Sequence, residues 1–367
     1  MRMNVWRASI LGILVGMLSL PMSELRTMAR QQQPPPPLKV PAQQTPAPSD
    51  QKDQSKAPQG EFGITVEVPL VNLEVVATDQ NGNPITGLRR GNFRVLEDNV
   101  VQQVTNFAPT EAAITTVLLM EFSNLFRGWL TYNATNWSYQ FVSQLKKDDY
   151  VALVSFDLNT RIEVNFTKDK TEVQNYLAHM IIPGFSEANL FDALMETLDN
   201  MSEVKGRKSI LIVATGLDTF SKHTLDQCLK RLKQTDVTIF AVGIAHALSN
   251  YLDNHGMIGG PQRLTFLQGE NQLRSFAEMT GGRAFFPQFE GEIPSDMREI
   301  AALLRSQYSV GYTPSNAARD GNYRKIRVEI VGEDGTPLII KNDKGKPIKI
   351  VVYTRKGYTA PTGAVSD

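Results

Sequence analysis

Apolar side chains recur at every second position through several stretches between Ile64 and Phe107. Ile64, Val66, Val68, Val71, Leu73, Val75 and Ala77 make the first stretch. Phe93, Val95 and Leu96 make the next, and Val100, Val101, Val104 and Phe107 the last. A period of two predicts strands with one buried face, and Asn81-Gly82 followed by Pro84 predicts a turn between them. From Thr115 to about Ser306 the pattern changes. Continuous apolar runs at 116–120, 150–156, 209–214 and 237–243 predict fully buried strands. Residues 160–166 alternate and predict an antiparallel edge strand, and 284–286 predict a short final one. Between them lie stripes at helical spacing: Leu130, Ala134, Trp137, Phe141 and Leu145; Leu190, Leu194, Leu198 and Met201; Leu225, Cys228, Leu229 and Leu232; Ile293, Met297, Ile300 and Leu304. Strands alternating with helices predict a mostly parallel sheet covered on both faces.

After residue 306 the strand pattern returns at 307–313, 323–331, 337–341 and 347–354, with a turn at 342–345. Neither terminal β segment has enough strands to hold a core alone. The expected fold is therefore a doubly wound, mostly parallel-sheet α/β domain inserted into a small β-sandwich that the N- and C-terminal segments build together.

The first residues carry a different pattern. Arg2 and Arg7 precede a short apolar run at 8–20, too short for an ordinary spanning helix and suited to a signal peptide. The competing reading is a retained N-terminal anchor. Residues 30–60 are rich in Pro, Gln, Ser and Lys and predict an extended linker. The expected organisation is a signal peptide at 1–29, a disordered linker at 30–62, a β segment at 63–110, the α/β domain at 111–306, a second β segment at 307–358 and a disordered tail at 359–367.

Composition narrows the function. Lys plus Arg number 38 and Asp plus Glu number 38. A neutral chain has no overall drive toward nucleic acid. The single cysteine, Cys228, excludes an intramolecular disulfide and a cysteine-based zinc site. It sits on an apolar helix face, where it reads as a small hydrophobe. His246 and His255 are nine residues apart in a loop-like insertion at 245–268, a spacing that matches no metal-binding helix motif. Gly184-Phe185-Ser186-Glu187-Ala188 lacks the closing glycine of a nucleophile elbow. No catalytic constellation is present, so the chain reads as non-enzymatic.

The α/β segment resembles a von Willebrand factor A domain. The resemblance rests on TTVLLMEFSNL at 115–125, YVALVSFD at 150–157, ANLFDAL at 188–194 and RKSILIVATGLDTFS at 207–221. The flanks, at 71–99, 306–316, 321–330 and 355–358, resemble exported VWFA-related proteins of the acidobacterial type. The family implies a metal-ion-dependent adhesion site, in which three loops at the C-terminal ends of parallel strands offer carboxylates and hydroxyls to a hard cation. This chain departs from that pattern. The first loop has Glu121 for aspartate, keeps Ser123 and has Leu125 for the second serine. The second loop has Ala188 for threonine, and the third has Thr215 for aspartate. Glu121, Ser123 and Thr215 remain as weak metal candidates, and no magnesium or calcium is expected to be held.

Asp157, Asp192 and Asp218 lie near the same rim. Asp192 reads as a support for a helix start, Asp157 and Asp218 as solvated loop residues. Phe122, Leu125, Phe126, Trp129 and Tyr132 follow the first strand and offer an apolar contact patch, with ordinary helix packing as the competing reading. The expected partner-binding rim is Glu121, Phe122, Ser123, Leu125, Phe126, Ala188, Thr215 and Asp218. The expectation is an exported adhesion-type protein that binds a protein partner, not nucleic acid, and meets a membrane only through an uncleaved N-terminal segment. The alternative is a structural or assembly protein of the cell envelope.

Overall fold

The computed structural model describes Leu38 and residues 70–109, 112–123, 136–180, 186–254, 260–342 and 344–363. The apolar run 8–20, the alternating residues 63–69 and nearly all of the expected linker lie outside the described residues.

Six strands form the central sheet: β5 (Ile114–Glu121), β6 (Tyr150–Phe156), β7 (Thr160–Thr167), β8 (Arg207–Ala214), β9 (Thr238–Gly243) and β10 (Ala284–Phe285). Their order is β10-β9-β8-β5-β6-β7. All neighbours run parallel except β7, which is antiparallel to β6 at the edge. Every residue of β5, β8 and β9 is buried, as their continuous apolar runs require. One face of the sheet packs on the described part of helix α1 (136–142), on α2 (Lys170–His179), on α5 (Ala245–Asn254) and on α7 (Ile293–Arg305). The other face packs on α3 (Leu190–Met201), α4 (Leu225–Leu232) and α6 (Gly260–Thr280). Truncating a side chain at its centre, such as Leu118 or Leu211, removes apolar contact and leaves a cavity, costing about 2–5 kcal/mol.

The remaining strands are β1 (Val71–Thr78), β2 (Phe93–Glu97), β3 (Val100–Gln102), β4 (Val104–Ala108), β11 (Tyr308–Tyr312), β12 (Tyr323–Ile330), β13 (Ile340–Lys341), β14 (Pro347–Ile348), β15 (Val351–Tyr353) and β16 (Gly357–Thr359). Two four-stranded sheets result, β15-β1-β11-β4 and β16-β12-β2-β3. Leu73, Val75, Tyr308 and Val310 of the first meet Phe93, Val95, Ile326 and Val328 of the second in one core. Both sheets mix N- and C-terminal strands, so the sandwich is shared as its two short segments require. The chain leaves through β4 and re-enters through β11, and Ala108 lies opposite Ser309. The α/β domain is thus an insertion whose two ends are adjacent.

Four features differ from the sequence expectation. Helix α2 is not anticipated, because it buries only Val173 and Leu177 and so lacks an apolar stripe. Its start is set by the Asp169 carboxylate, which accepts the Thr171 N–H at 2.9 Å. The described residues of the loop-like insertion at 245–268 are helical, in α5 and the first part of α6. The fold runs past 358: the Ala360 N–H donates to Asn322 O at 2.9 Å, and Thr362 bridges to Asp320. Leu38, inside the expected linker, is 4% exposed and packs in the core with Met201 and Val204. Burying that side chain is worth about 2 kcal/mol. Among the described residues no helix is long and apolar enough to cross a membrane.

Candidate functional site

Strand β5 ends on Glu121, which is fully buried. The chain is held straight past that point because the Phe122 N–H donates to Phe156 O at 2.8 Å. Both oxygens of the Glu121 carboxylate are engaged. Oε1 accepts the Ser123 hydroxyl at 2.8 Å. Oε2 accepts the Thr215 backbone N–H at 2.8 Å and its hydroxyl at 2.7 Å. Burial pushes the Glu121 carboxyl above its ordinary value, and the hydrogen bonds from Thr215 and Ser123 pull it back.

The second and third loops are tied to each other. The Ala188 N–H donates to the Thr219 hydroxyl at 2.9 Å, and the Thr219 N–H donates back to Ala188 O at 2.8 Å. Helix α3 starts without a side-chain cap from its own Asn189. Its free N–H groups are taken by the third loop instead: Phe191 N–H donates to Asp218 Oδ1 at 3.0 Å and Asp192 N–H to Ser221 Oγ at 3.0 Å. Asp192 in turn accepts the His223 N–H at 2.9 Å and faces its ring Nδ1 at 2.7 Å. Gly216 has φ of +81°, and a Cβ there would lie 2.2 Å from Gly269 O. Glycine is required on both counts, and it brings helix α6 directly over the third loop.

These contacts revise the expected rim. Glu121, Ser123 and Thr215 come together by hydrogen bonds and Ala188 is tied to the third loop at Thr219, but all four, like Phe122, are buried. The Phe122 ring packs in the core cluster with Trp137 and Phe141, which corrects its reading as a contact residue. Leu125, Phe126, Trp129 and Tyr132 lie outside the described residues. Asp218 is spent on α3. Asp157 is fully buried, not solvated, because Arg161 Nη1 donates to its Oδ1 at 2.8 Å. Asp192 holds the third loop, as a support residue should. Among the described residues of these loops, Ser186, Glu187, Thr219, Phe220 and Lys222 are exposed, of which Phe220, 60% exposed, has no local sequence signal to mark it.

Among the described residues, the donor set does not fit a divalent cation. Glu121 is engaged at both oxygens, Thr215 and Ser123 direct their protons at it, and Ala188 has no side-chain oxygen. Magnesium sheds water reluctantly and needs several free oxygens. Among the described residues no three His, Cys, Asp or Glu side chains gather to hold a metal ion. Burial pushes the Cys228 thiol up to about 12, which leaves no nucleophilic thiolate there. His246 pairs with Glu270 at 3.6 Å between α5 and α6.

Residues 127–279 match the model of the von Willebrand factor type A domain. The six-stranded sheet with helices on both faces is that domain's fold, here set in a sandwich of flanking strands. No curated protein matches the chain. Among solved structures it is similar to an aerotolerance-related membrane protein from Bacteroides fragilis at 10% identity and TM-score 0.39, over 52% of this chain and 98% of that one. BatB from Bacteroides thetaiotaomicron aligns at 13% identity and TM-score 0.38, over 53% of this chain and all of the other. A von Willebrand factor type A protein from Catenulispora acidiphila aligns at 11% and 0.40, over 79% and 74%.

Proposed function

We propose that this chain is an exported, non-enzymatic protein of adhesion type, which binds a protein partner through the rim of its A-type domain without a metal ion. The observation that carries the reading is the closure of Glu121 onto Ser123 and Thr215. With its oxygens engaged, the floor of the rim has no cation to offer a partner's carboxylate. Contact falls instead to the exposed loop residues, with Phe220 as the apolar anchor, since aromatic side chains dominate interface cores. Export is supported by Arg2 and Arg7 ahead of the apolar run 8–20.

The test uses the full chain as bait for envelope extracts of its own source cells. A defined partner should be retained in EDTA and lost on Phe220→Asp, while fractionation recovers the chain outside the cytoplasm. Loss of the partner in EDTA would overturn the metal-free reading. Retention by Phe220→Asp would overturn the rim assignment and favour a purely structural domain.

A further inference from the structure

The stretch from 30 to 60, polar and proline-rich throughout, holds only two large apolar residues, Leu38 and Val40. Leu38 is 4% exposed and belongs to the same buried cluster as Met201 and Val204. Its N–H donates to Asn200 Oδ1 at 3.3 Å, across 162 positions of sequence. An isolated leucine behind the prolines at 34–37 thus finds both an apolar seat and a hydrogen-bond acceptor on the α/β domain. Proline fixes φ, so the approach to Leu38 has less freedom to lose when the leucine is seated.

The seat is built without Leu38. Helix α3 ends at Met201, and Lys208 holds the turn that follows. Its Nζ donates to Met201 O at 3.2 Å and to Val204 O at 2.8 Å, and Asp236 pairs with the same ammonium at 2.9 Å. Asn200, Met201 and Val204 therefore stand at the C-terminal end of α3, whereas Ala188 and Asn189 stand at its start beside the rim. The 12 residues of α3, at a rise of about 1.5 Å each, put about 18 Å between the two ends. The seat lies at the end of the domain opposite the rim loops.

The seated state is held weakly. Seating Leu38 closes a loop of about 30 residues between it and β1, and closing a loop of that length disfavours the state by about 150-fold. Burial of one leucine favours it by about thirtyfold and a hydrogen bond by about fivefold. The opposing effects nearly cancel, so this contact opens locally while the rest of the fold stays closed.

We infer that Leu38 is a latch, by which the proline-flanked stretch that carries it docks on the seat of Asn200, Met201 and Val204 and brings the chain into the α/β domain from the end opposite the rim. Latched, the folded body begins at Leu38. Unlatched, it begins at β1, and about 30 more residues serve as tether. The docking does not depend on what the rim binds.

The test places spin labels on the full chain at Lys39→Cys and Glu203→Cys, since the buried Cys228 thiol takes no label. Dipolar electron resonance should give a narrow distance peak beside a broad component. Adding Leu38→Asp should leave only the broad component, spread over about 30 Å as for a coil of that length, and should move the thermal midpoint by less than about 2 °C. Adding Asn200→Ala should shift the ratio about fivefold toward the broad component. Absence of the narrow peak in the labelled parent, its survival in Leu38→Asp, or an unchanged ratio in Asn200→Ala would overturn the latch. So would a large fall in thermal midpoint or a failure to fold in Leu38→Asp, which would make Leu38 part of the cooperative core.

Discussion

The Glu121 carboxylate accepts two hydrogen bonds from one residue, Thr215, which lies 94 positions further along the chain. The extra methylene of glutamate over aspartate lets the side chain cross from the end of β5 to the end of β8. It thereby joins the first and third loops directly, where a family member with aspartate and serines would join them through a cation.

Removing that bridge has a calculable consequence. Glu121→Ala leaves the Thr215 N–H and hydroxyl and the Ser123 hydroxyl buried without an acceptor. The expected loss of unfolding free energy is about 3 kcal/mol, read from denaturant midpoints. A loss below about 0.5 kcal/mol would mean the loops are held by other contacts.

Metal binding should be restorable. The combined variant Glu121→Asp, Leu125→Ser, Ala188→Thr and Thr215→Asp shortens the bridge and returns the oxygens that the family pattern supplies. Calorimetry should then detect magnesium, while the unmodified chain should bind neither magnesium nor calcium more tightly than roughly millimolar. Micromolar affinity in the unmodified chain would contradict the closed arrangement of Glu121.

Glu74 predicts a pH dependence. Its side chain is 11% exposed at the meeting of β1 with the α/β domain, with Arg207 Nε 3.8 Å away. Burial raises its carboxyl from 4.5 to about 7, against the opposing hydrogen bond from Ser309 and the charge of Arg207. The folded state therefore holds a proton that the unfolded chain releases near 4.5. The protonated form's advantage is complete below pH 4.5 and is lost as the pH rises to about 7. Glu74→Gln imitates the protonated form, so it should raise stability at pH 8 by on the order of 2 kcal/mol and change little near pH 4. Thermal melts at the two pH values check this, and equal shifts at both would refute the assignment.

The sandwich should fail when divided. β1 is flanked by β11 and β15, and β12 by β2 and β16, so each half lacks the strands its partners need. Residues 307–363 expressed alone should give a collapsed NMR spectrum, and addition of residues 63–110 should disperse it. A dispersed spectrum from the C-terminal piece by itself would show that it closes its own core.

Much of this arrangement was legible in local pattern. Continuous apolar runs are compatible with little except a strand covered on both faces, so β5, β6, β8 and β9 could be placed within a residue or two. That Leu125 and Ala188 carry no side-chain oxygen could also be read directly, because an alkyl side chain cannot supply one anywhere in a fold. Helix α2 escaped because two buried residues in ten make no stripe, and α5 with the start of α6 because their exposed turns look like a loop. What no local pattern could decide was direction and partnership. Phe122 follows a strand and could face solvent or core with equal local propriety, and only the neighbouring Trp137 and Phe141 draw it inward. Asp157 looks solvated until Arg161 folds back on it. The closure of Glu121 onto Thr215 depends on two strands becoming neighbours across 94 residues. Burial and hydrogen-bond satisfaction are properties of that assembled neighbourhood, so the tertiary fold alone makes Glu121 an internal bridge.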